Sequence, residues 1–296
     1  MFRNLFLTCL VCFTFIATAA YGAPSQKNLQ LASVSAYVAD YKTGKTIAAK
    51  NADLLMPIAS ITKVMTAMVI LDSGQSLSEK ITFTKNHRAL IEYGHSRIRT
   101  GSQISRGEAI RLALMSSENL AAAALGATYP GGYTAFVKAM NAKAKMLGME
   151  HTQFVEATGL SPMNRSTARD LSRLVTAAYN YPLIRKYSTT ATHTANFTKP
   201  NYVLGFTNTN ILVRGDKWDV GLSKTGFLNE AGRCLVMVAK LQGKQTVMVM
   251  LDSYGKRTPV GDAGRIKKWL ETGNSGKISD SAKQYQKTKL AQRKPA

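Results

Sequence analysis

Two residues three positions apart can generate a nucleophile in this chain. Ser60 and Lys63 lie at the start of a segment with helical periodicity. Residues three apart share one face of a helix, so the lysine amine can reach the serine hydroxyl. A serine hydroxyl is inert at neutral pH unless a base removes its proton, and a lysine whose pKa is lowered by burial and a second cation can be that base. The pair predicts nucleophilic catalysis, although Ser-x-x-Lys alone arises by chance in most chains.

A second motif, Ser117-Glu118-Asn119, falls between two predicted helices. The Ser117 hydroxyl can relay a proton to a leaving amine, and the Asn119 amide can hold a peptide carbonyl of the substrate. Considered alone, the motif is explained better by ordinary helix capping through Ser117 or Asn119.

A third motif, Lys224-Thr225-Gly226, lies on a predicted late strand. Its cation and hydroxyl can grip a carboxylate, and its glycine lets a substrate lie flat along the strand as an added β-edge. Considered alone, it would be a solvated edge lysine before a turn. The three motifs together, in this order and on these elements, are the set found in β-lactamases and penicillin-binding proteins.

The elements that carry the motifs are strands at both ends of the chain and helices in the middle. Alternation of apolar and polar residues predicts a hairpin formed by Ser33–Asp40 and 46–49. A helix with one apolar face is predicted to begin at Ser60 and to end at Gly74. One further helix begins at Ser105, where Glu108 completes a capping box. The other predicted helices are 119–127, 133–147, 166–179 and 262–271. The later predicted strands are 217–225, 234–240 and 245–251. This order predicts an α/β (α+β) fold, an antiparallel sheet flanked by helices with an all-helical insertion at about 85–185.

The N-terminus is typical of a secretory signal peptide. Arg3 precedes an apolar run from Leu5 to Ala17, and small residues follow up to Ala23. This pattern predicts a cleaved signal peptide at 1–23, a catalytic domain at 24–272 and a periplasmic location. The alternative is an uncleaved membrane anchor.

The cysteines and the charge narrow the class of protein further. Cys9 and Cys12 would leave with the signal peptide, so Cys234 would stand alone as a buried small hydrophobe. A net charge of +22 implies an anionic partner: nucleic acid, acidic lipid or cell-wall polymer. Secretion and the absence of nucleic-acid motifs argue against nucleic acid as a partner.

The last segment, 273–296, is predicted to be a basic C-terminal tail. From Lys277 onward it carries six Lys or Arg residues against Asp280. The favoured interpretation is a solvated, disordered tail; the alternative is peripheral association with anionic wall or membrane through this tail.

From about Leu31 to Leu270 the chain resembles the low-molecular-mass DD-peptidases of the penicillin-binding family, which have a β-lactamase/transpeptidase-like fold. The matching segments are 57–67, 157–160, 164–171, 224–227 and 231–234. The resemblance implies that Ser60 is the acylated nucleophile, Lys63 its base, Ser117 and Asn119 the proton and substrate network, and Lys224 with Thr225 and Gly226 the carboxylate-binding strand. It implies an oxyanion hole made by the backbone N–H groups of Ser60 and Phe227. It also implies peptidoglycan stem peptides and cross-bridges as substrates, β-lactams as covalent inhibitors, and neither cofactor nor metal.

Four departures favour the endopeptidase branch, which cuts cross-links, over the carboxypeptidases, which trim terminal D-alanine. Glu118 replaces the usual glycine of carboxypeptidases, and Phe227 replaces a frequent histidine. Asp262 is taken to stand where they carry an arginine near the start of the last helix. About twenty-five residues follow Glu271, too few for the β-rich domain that carboxypeptidases often append. Carboxypeptidase activity remains the alternative.

Three other classes of protein are less consistent with the sequence. A serine β-lactamase needs a carboxylate to activate water, and the candidate loop from Glu156 lacks asparagine at its fifth position, Leu160. A non-catalytic, basic wall-binding protein would explain the charge but leave the motifs as coincidence. A Ser-His-Asp hydrolase is disfavoured because no Gly-x-Ser-x-Gly occurs, and no metal-ligand spacing connects His87, His95, His151 and His193.

Overall fold

The computed structural model describes residues 24–91 and 94–292. Its strands are β1 (Ser33–Asp40), β2 (Thr46–Lys50), β3 (Met56–Pro57), β4 (Lys80–Thr82), β5 (Gln103–Ser105), β6 (Arg165–Ser166), β7 (Thr192–Phe197), β8 (Tyr202–Thr207), β9 (Val220–Leu228), β10 (Gly232–Leu241) and β11 (Lys244–Ser253). Its α-helices are α1 (Thr62–Asp72), α2 (Lys85–Ala89), α3 (Arg106–Met115), α4 (Asn119–Ala127), α5 (Gly132–Met146), α6 (Ala168–Tyr179), α7 (Pro182–Ser188), α8 (Ile211–Arg214), α9 (Thr258–Thr272) and α10 (Asp280–Ala291).

One five-stranded antiparallel sheet joins the two ends of the chain in the order β2-β1-β11-β10-β9. Alternate residues of its central strands pack on opposite faces, as the two-residue period of a strand requires. Val236 and Val249 belong to the core beneath the helical region, whereas Leu235 and Met250 pack in the same core as α9 residues such as Ile266. The predicted α/β (α+β) fold is therefore confirmed, and β9 is left as an edge of the sheet.

Helix α1 lies at the centre of the molecule and is buried on every side. Every residue from Thr62 to Ile70 is buried, so the prediction of a helix with one apolar face is wrong here. Its polar side chains tolerate burial because they have partners. The Thr66 hydroxyl, for example, donates to the Ala157 carbonyl over 2.7 Å.

The helical region matches its predicted helices closely, with some local differences. Ser105 caps α3 by accepting from the Glu108 N–H, but the Glu108 carboxylate contacts Arg111 and His193 instead of completing the capping box. The strands β5 and β6 fall within the insertion predicted to be all-helical. The hairpin β7–β8 follows it and was not predicted. The strand expected at 217–225 is shifted to Val220–Leu228.

Helix α9 starts at Thr258, four residues before its predicted start, and this corrects the interpretation of Asp262. Asp262 lies inside the helix and is fully buried. Its carboxylate accepts hydrogen bonds from the Ala32 and Ser33 N–H groups at 2.9 and 2.7 Å. Asp262 thus ties α9 to the first strand, and the residue at the start of the helix is Arg257.

The prediction of a disordered tail is wrong for 280–291, which form α10. The helix packs against β1, and its Gln286 amide donates to the Leu31 carbonyl over 2.8 Å. Its Tyr285 hydroxyl donates to the Asp252 carboxylate over 2.5 Å. These sequence-distant contacts order a segment whose composition is otherwise typical of disorder.

The predicted signal peptide, 1–23, lies outside the described residues. Within the described residues, no helix combines the length and the apolar character needed to span a bilayer.

Candidate active site

Ser60 lies in a short 3-10 turn, Ala59–Ile61, that leads directly into α1. The turn is held from below by Gly159, which has φ +82°. A Cβ at this position would lie 1.9 Å from the Ala59 carbonyl oxygen, so only glycine allows the two segments to approach this closely. The result is a fixed, half-buried serine at a helix start.

Lys63 lies one turn further along, and its side chain is completely buried. Its amine is within hydrogen-bond distance of three oxygens: Ser60 Oγ at 3.0 Å, Asn119 Oδ1 at 2.8 Å and the Thr158 carbonyl at 2.5 Å. A neutral amine has two N–H groups and one lone pair. With both N–H groups donated to Asn119 and Thr158, the lone pair is left for the Ser60 proton.

The environment of Lys63 favours the neutral form. Burial lowers its pKa to about 8, an effect opposed by the carboxylates of Glu156 and Glu118. A base with a pKa near the working pH has a useful neutral fraction and remains a competent proton acceptor. The pair can therefore carry out the chemistry expected of a serine nucleophile with a lysine base.

Ser117 and Asn119 approach the same cleft from the junction of α3 and α4. Asn119 is the first residue of α4, and Ser117 has φ +61°, a left-handed conformation that serine rarely adopts. The strained turn presents the Ser117 hydroxyl to the Lys224 amine, which donates to it over 2.8 Å. Helix capping does not account for this motif, because among the described residues the side chains of Ser117 and Asn119 contact Lys224 and Lys63, and the N-cap position of α4 is Glu118.

Lys224 and Thr225 enter from β9. Lys224 is buried, and both its burial and the charge of Lys63 hold its pKa well below the ordinary lysine value. Its amine also donates to the Thr225 carbonyl over 2.7 Å, and the Thr225 hydroxyl donates to Thr209 over 2.6 Å. Lys224 is therefore a buried lysine that contacts Ser117, and the alternative of a solvated edge lysine does not apply.

Gly226 and Phe227 complete the strand beside the nucleophile. A Cβ on Gly226 would lie 3.1 Å from the Ser60 nitrogen and 3.2 Å from the Ile58 carbonyl, so β9 runs in contact with the nucleophile turn. Phe227 is 49% exposed, and the Arg233 guanidinium lies 4.1 Å from the centre of its ring. The oxyanion role of the Phe227 N–H stays a prediction.

A cleft of about 580 Å³ brings together Ser60, Ser117, Asn119, Thr225, Gly226 and Phe227. The buried amines of Lys63 and Lys224 contact Ser60 and Ser117 of this cleft, respectively. The sequence interpretation missed other residues of its wall, namely Thr209, Arg214, Lys256 and Arg257. The position of Arg257 immediately before Thr258-Pro259, a typical helix start, was the available signal.

The two glutamates near the site are held by other groups. Glu156 accepts hydrogen bonds from the Thr158 and Gly159 N–H groups, both at 2.5 Å, and from the Asn164 amide at 2.7 Å. This carboxylate braces its own loop, so it is unsuited to activating a deacylating water as a β-lactamase requires. Burial raises the pKa of Glu118, opposed by a hydrogen bond from Ser96 and by the Lys63 charge.

Cys234 is buried on β10, as expected for a small hydrophobe. In the part of the chain that the structure covers, no group of three or more His, Cys, Asp and Glu side chains is arranged to hold a metal ion.

Comparison with known proteins shows the family to which the chain belongs. Residues 21–255 match the family model described as D-alanyl-D-alanine carboxypeptidase. The chain is 50% identical over 288 residues to a D-alanyl-D-alanine endopeptidase of Pseudomonas aeruginosa, covering 96% of this chain and 93% of the relative.

Two solved structures share the fold. The Streptomyces K15 DD-transpeptidase superposes with a TM-score of 0.76 at 28% identity, covering 82% of this chain and 98% of that one. Penicillin-binding protein D2 of Listeria monocytogenes, in its ampicillin-bound form, superposes with a TM-score of 0.70 at 28% identity, covering 81% and 98%. Because the family model covers most of the chain and the relative matches nearly all of it, this chain belongs to the D-alanyl-D-alanine carboxypeptidase family of serine peptidases.

Proposed function

We propose that this protein is a penicillin-sensitive DD-endopeptidase that hydrolyses D-alanyl cross-links in peptidoglycan through an acyl-enzyme on Ser60. The observation that carries the chemistry is the pairing of Ser60 with buried Lys63 and of Ser117 with buried Lys224 around one cleft. The choice of endopeptidase is supported by 50% identity, over nearly the whole chain, to a protein of that name.

The proposed reaction proceeds in two steps. Neutral Lys63 takes the Ser60 proton as Oγ attacks the D-alanyl carbonyl, and the oxyanion is held by backbone N–H groups. The C–N bond to the leaving amine then breaks, and the amine receives a proton relayed through Ser117. Water attacks the resulting ester with Lys63 again as base, which releases the new carboxylic acid and regenerates Ser60.

The substrate would lie along β9 as an additional strand. An edge strand offers unpaired backbone groups to an extended peptide, and Gly226 keeps this edge flat. Lys224 and Thr225 would bind the carboxylate next to the scissile bond. β-Lactams would acylate Ser60 in the same cleft, as the ampicillin-bound structure of the Listeria relative suggests by similarity.

Carboxypeptidase activity is the second candidate, and one observation favours it. Arg257, at the start of α9, lines the cleft, where carboxypeptidases carry an arginine for the terminal carboxylate. Asp262 therefore does not replace this arginine, and the endopeptidase proposal is supported by Glu118, by Phe227 and by the similarity to the Pseudomonas protein.

Chromatography of the products from purified muropeptides decides between the two activities. Mature protein should convert cross-linked dimers to monomers faster than it trims pentapeptides to tetrapeptides. The Ser60→Ala variant, with an unchanged melting temperature, should do neither. Rapid pentapeptide trimming with dimers left intact would make the protein a carboxypeptidase.

We further propose a periplasmic location with a cleaved signal peptide, and peripheral association of the basic C-terminal segment with anionic wall or membrane. The support is the Arg3-led apolar N-terminus and the lysines of α10, of which Lys283 and Lys287 are exposed. N-terminal mass spectrometry of protein from a periplasmic extract should find a chain that starts between Ala20 and Pro24, whereas an intact Met1 would contradict cleavage.

A further inference from the structure

The wall of the cleft is strongly cationic. Four positively charged side chains, Arg214, Arg233, Lys256 and Arg257, line it, and none of the other lining residues among those that the structure describes is acidic. They come from three separate parts of the chain: the end of α8, strand β10, and the start of α9. The charge is therefore assembled by the fold and is not a local run of basic sequence.

These cations lack acidic partners in the part of the chain that the structure describes. Arg214, Lys256 and Arg257 are exposed, and none of the four forms an ion pair with a described Asp or Glu side chain. Like charges gathered around one concave surface repel each other and raise the local concentration of anions. Such a surface is suited to a ligand that carries several negative charges.

A single terminal carboxylate does not need all of these groups. Lys224 and Thr225 would bind one carboxylate from β9, and Arg257, at the start of α9, lies where the resemblance to carboxypeptidases leads us to expect an arginine. Three cations, Arg214, Arg233 and Lys256, are left over. The leaving group of an endopeptidase differs from free D-alanine because it is a whole stem peptide with additional carboxylates.

The side chain of Arg233 is held against the ring of Phe227. The guanidinium carbon lies over the ring, 4.1 Å from its centre, and the residue is half-buried. This cation–π contact restrains the guanidinium and leaves N–H groups available for a carboxylate. This contact also gives a function to Phe227 at a position where carboxypeptidases often carry histidine.

We propose that Arg214, Arg233 and Lys256 form a carboxylate-binding subsite for the leaving stem peptide of a cross-link. The proposal rests on the proposed endopeptidase function and adds to it the groups that select a cross-linked, polyanionic substrate over a terminal D-alanine.

The test compares charge-neutralising variants on matched substrates. The variants are Arg233→Gln and the double variant Arg214→Gln/Lys256→Gln. Their controls are Lys217→Gln and Lys240→Gln, exposed lysines close to α8 and on β10 that do not line the cleft. The substrates are a cross-linked tetrapeptide dimer, the same dimer with the carboxylates of its leaving stem amidated, and a pentapeptide monomer.

The subsite variants should lower kcat/KM for the dimer by roughly tenfold for each charge removed, since each loses a charge-assisted hydrogen bond. In these variants the kcat/KM for the dimer should fall relative to the rate of acylation by benzylpenicillin. The control variants should change this ratio by less than about twofold. Amidation should lower wild-type kcat/KM similarly and should have little further effect on the variants, because each change removes the same contact.

The outcomes separate this inference from the proposed function. If wild-type protein does not cleave the dimer, the endopeptidase proposal fails. If it cleaves the dimer but neither amidation nor charge removal changes kcat/KM, the endopeptidase stands and the subsite is wrong.

Discussion

Two buried lysines, each hydrogen-bonded to a serine, dominate the site at the scale of single residues. Burial lowers the pKa of both, and the charge of Lys63 lowers the pKa of Lys224 further. Two lysines this close titrate as a pair, so protonation of one opposes protonation of the other. Because the pKa of Lys63 is lowered to about 8, a fraction of its amine is neutral near neutral pH and can accept the Ser60 proton.

The rate of Ser60 acylation by benzylpenicillin should therefore rise with pH. Below the Lys63 pKa of about 8 the amine is protonated and cannot accept the Ser60 proton, so the rate should fall about tenfold per pH unit and should level off above it. Lys63→Arg, which stays charged, should slow acylation by orders of magnitude. Stopped-flow kinetics, with mass spectrometry to locate the adduct on Ser60, measures both effects.

Lys50 provides the matched control for this profile. Burial also lowers its pKa to about 8, but it lies outside the cleft and donates to the Leu31 and Ser33 carbonyls. The Lys50→Met variant should keep the wild-type pH profile wherever it remains folded. Two results would show that Lys63 is not the base. One is a shifted midpoint of the pH profile of acylation in the Lys50→Met variant, and the other is a Lys63→Arg variant that acylates at the wild-type rate.

At the scale of elements, the site depends on contact between strand β9 and the turn that leads into α1. Gly226 allows this contact, because a Cβ would meet backbone atoms of the nucleophile turn at 3.1–3.2 Å. Backbone atoms cannot rotate away as side chains do, so any added atom must push the strand and the turn apart.

The Gly226→Ala variant should acylate about 10- to 100-fold more slowly than wild type, because sub-ångström displacements of reacting groups are costly. The matched control is Gly205→Ala on β8, where a Cβ meets nothing within 4 Å. Acylation rates should be compared with melting temperatures. A folded Gly226→Ala variant with the wild-type rate would mean that catalysis tolerates a displaced strand.

At the scale of the whole molecule, the main feature is the net charge of +22. Charge of this size attracts an anionic polymer over distances set by salt, since the Debye length is about 10 Å at 0.1 M and about 3 Å at 1 M. The ordering of α10 against the sheet presents part of this charge on a fixed surface.

Binding to purified sacculi should weaken several-fold between low and high salt. The measurement uses the Ser60→Ala background, so that the wall is not digested during sedimentation. If α10 contributes specifically, Lys283→Gln/Lys287→Gln should weaken binding more than Lys42→Gln/Lys45→Gln in the β1–β2 turn, where both lysines are also exposed. Salt-independent binding would contradict the electrostatic account, and equal losses would exclude a special role for α10.

The three motifs, the family resemblance and about half of the helices and strands can be predicted from the sequence alone. These depend on local information: Ser60 and Lys63 are one helical turn apart, and Asn119–Ala127 and the hairpin from Ser33 follow directly from periodicity and turn residues. Their recognition required no knowledge of distant contacts.

Which residues share the cleft and which are buried away from it depends on the folded structure. Asp262 and Arg257 are five residues apart, but the early start of α9 buries Asp262 against Ser33 and leaves Arg257 in the cleft wall. The basic segment at 280–291 is helical because Tyr285 and Gln286 bind residues more than thirty positions away. Local periodicity cannot encode these outcomes, because they depend on partners that only folding brings together.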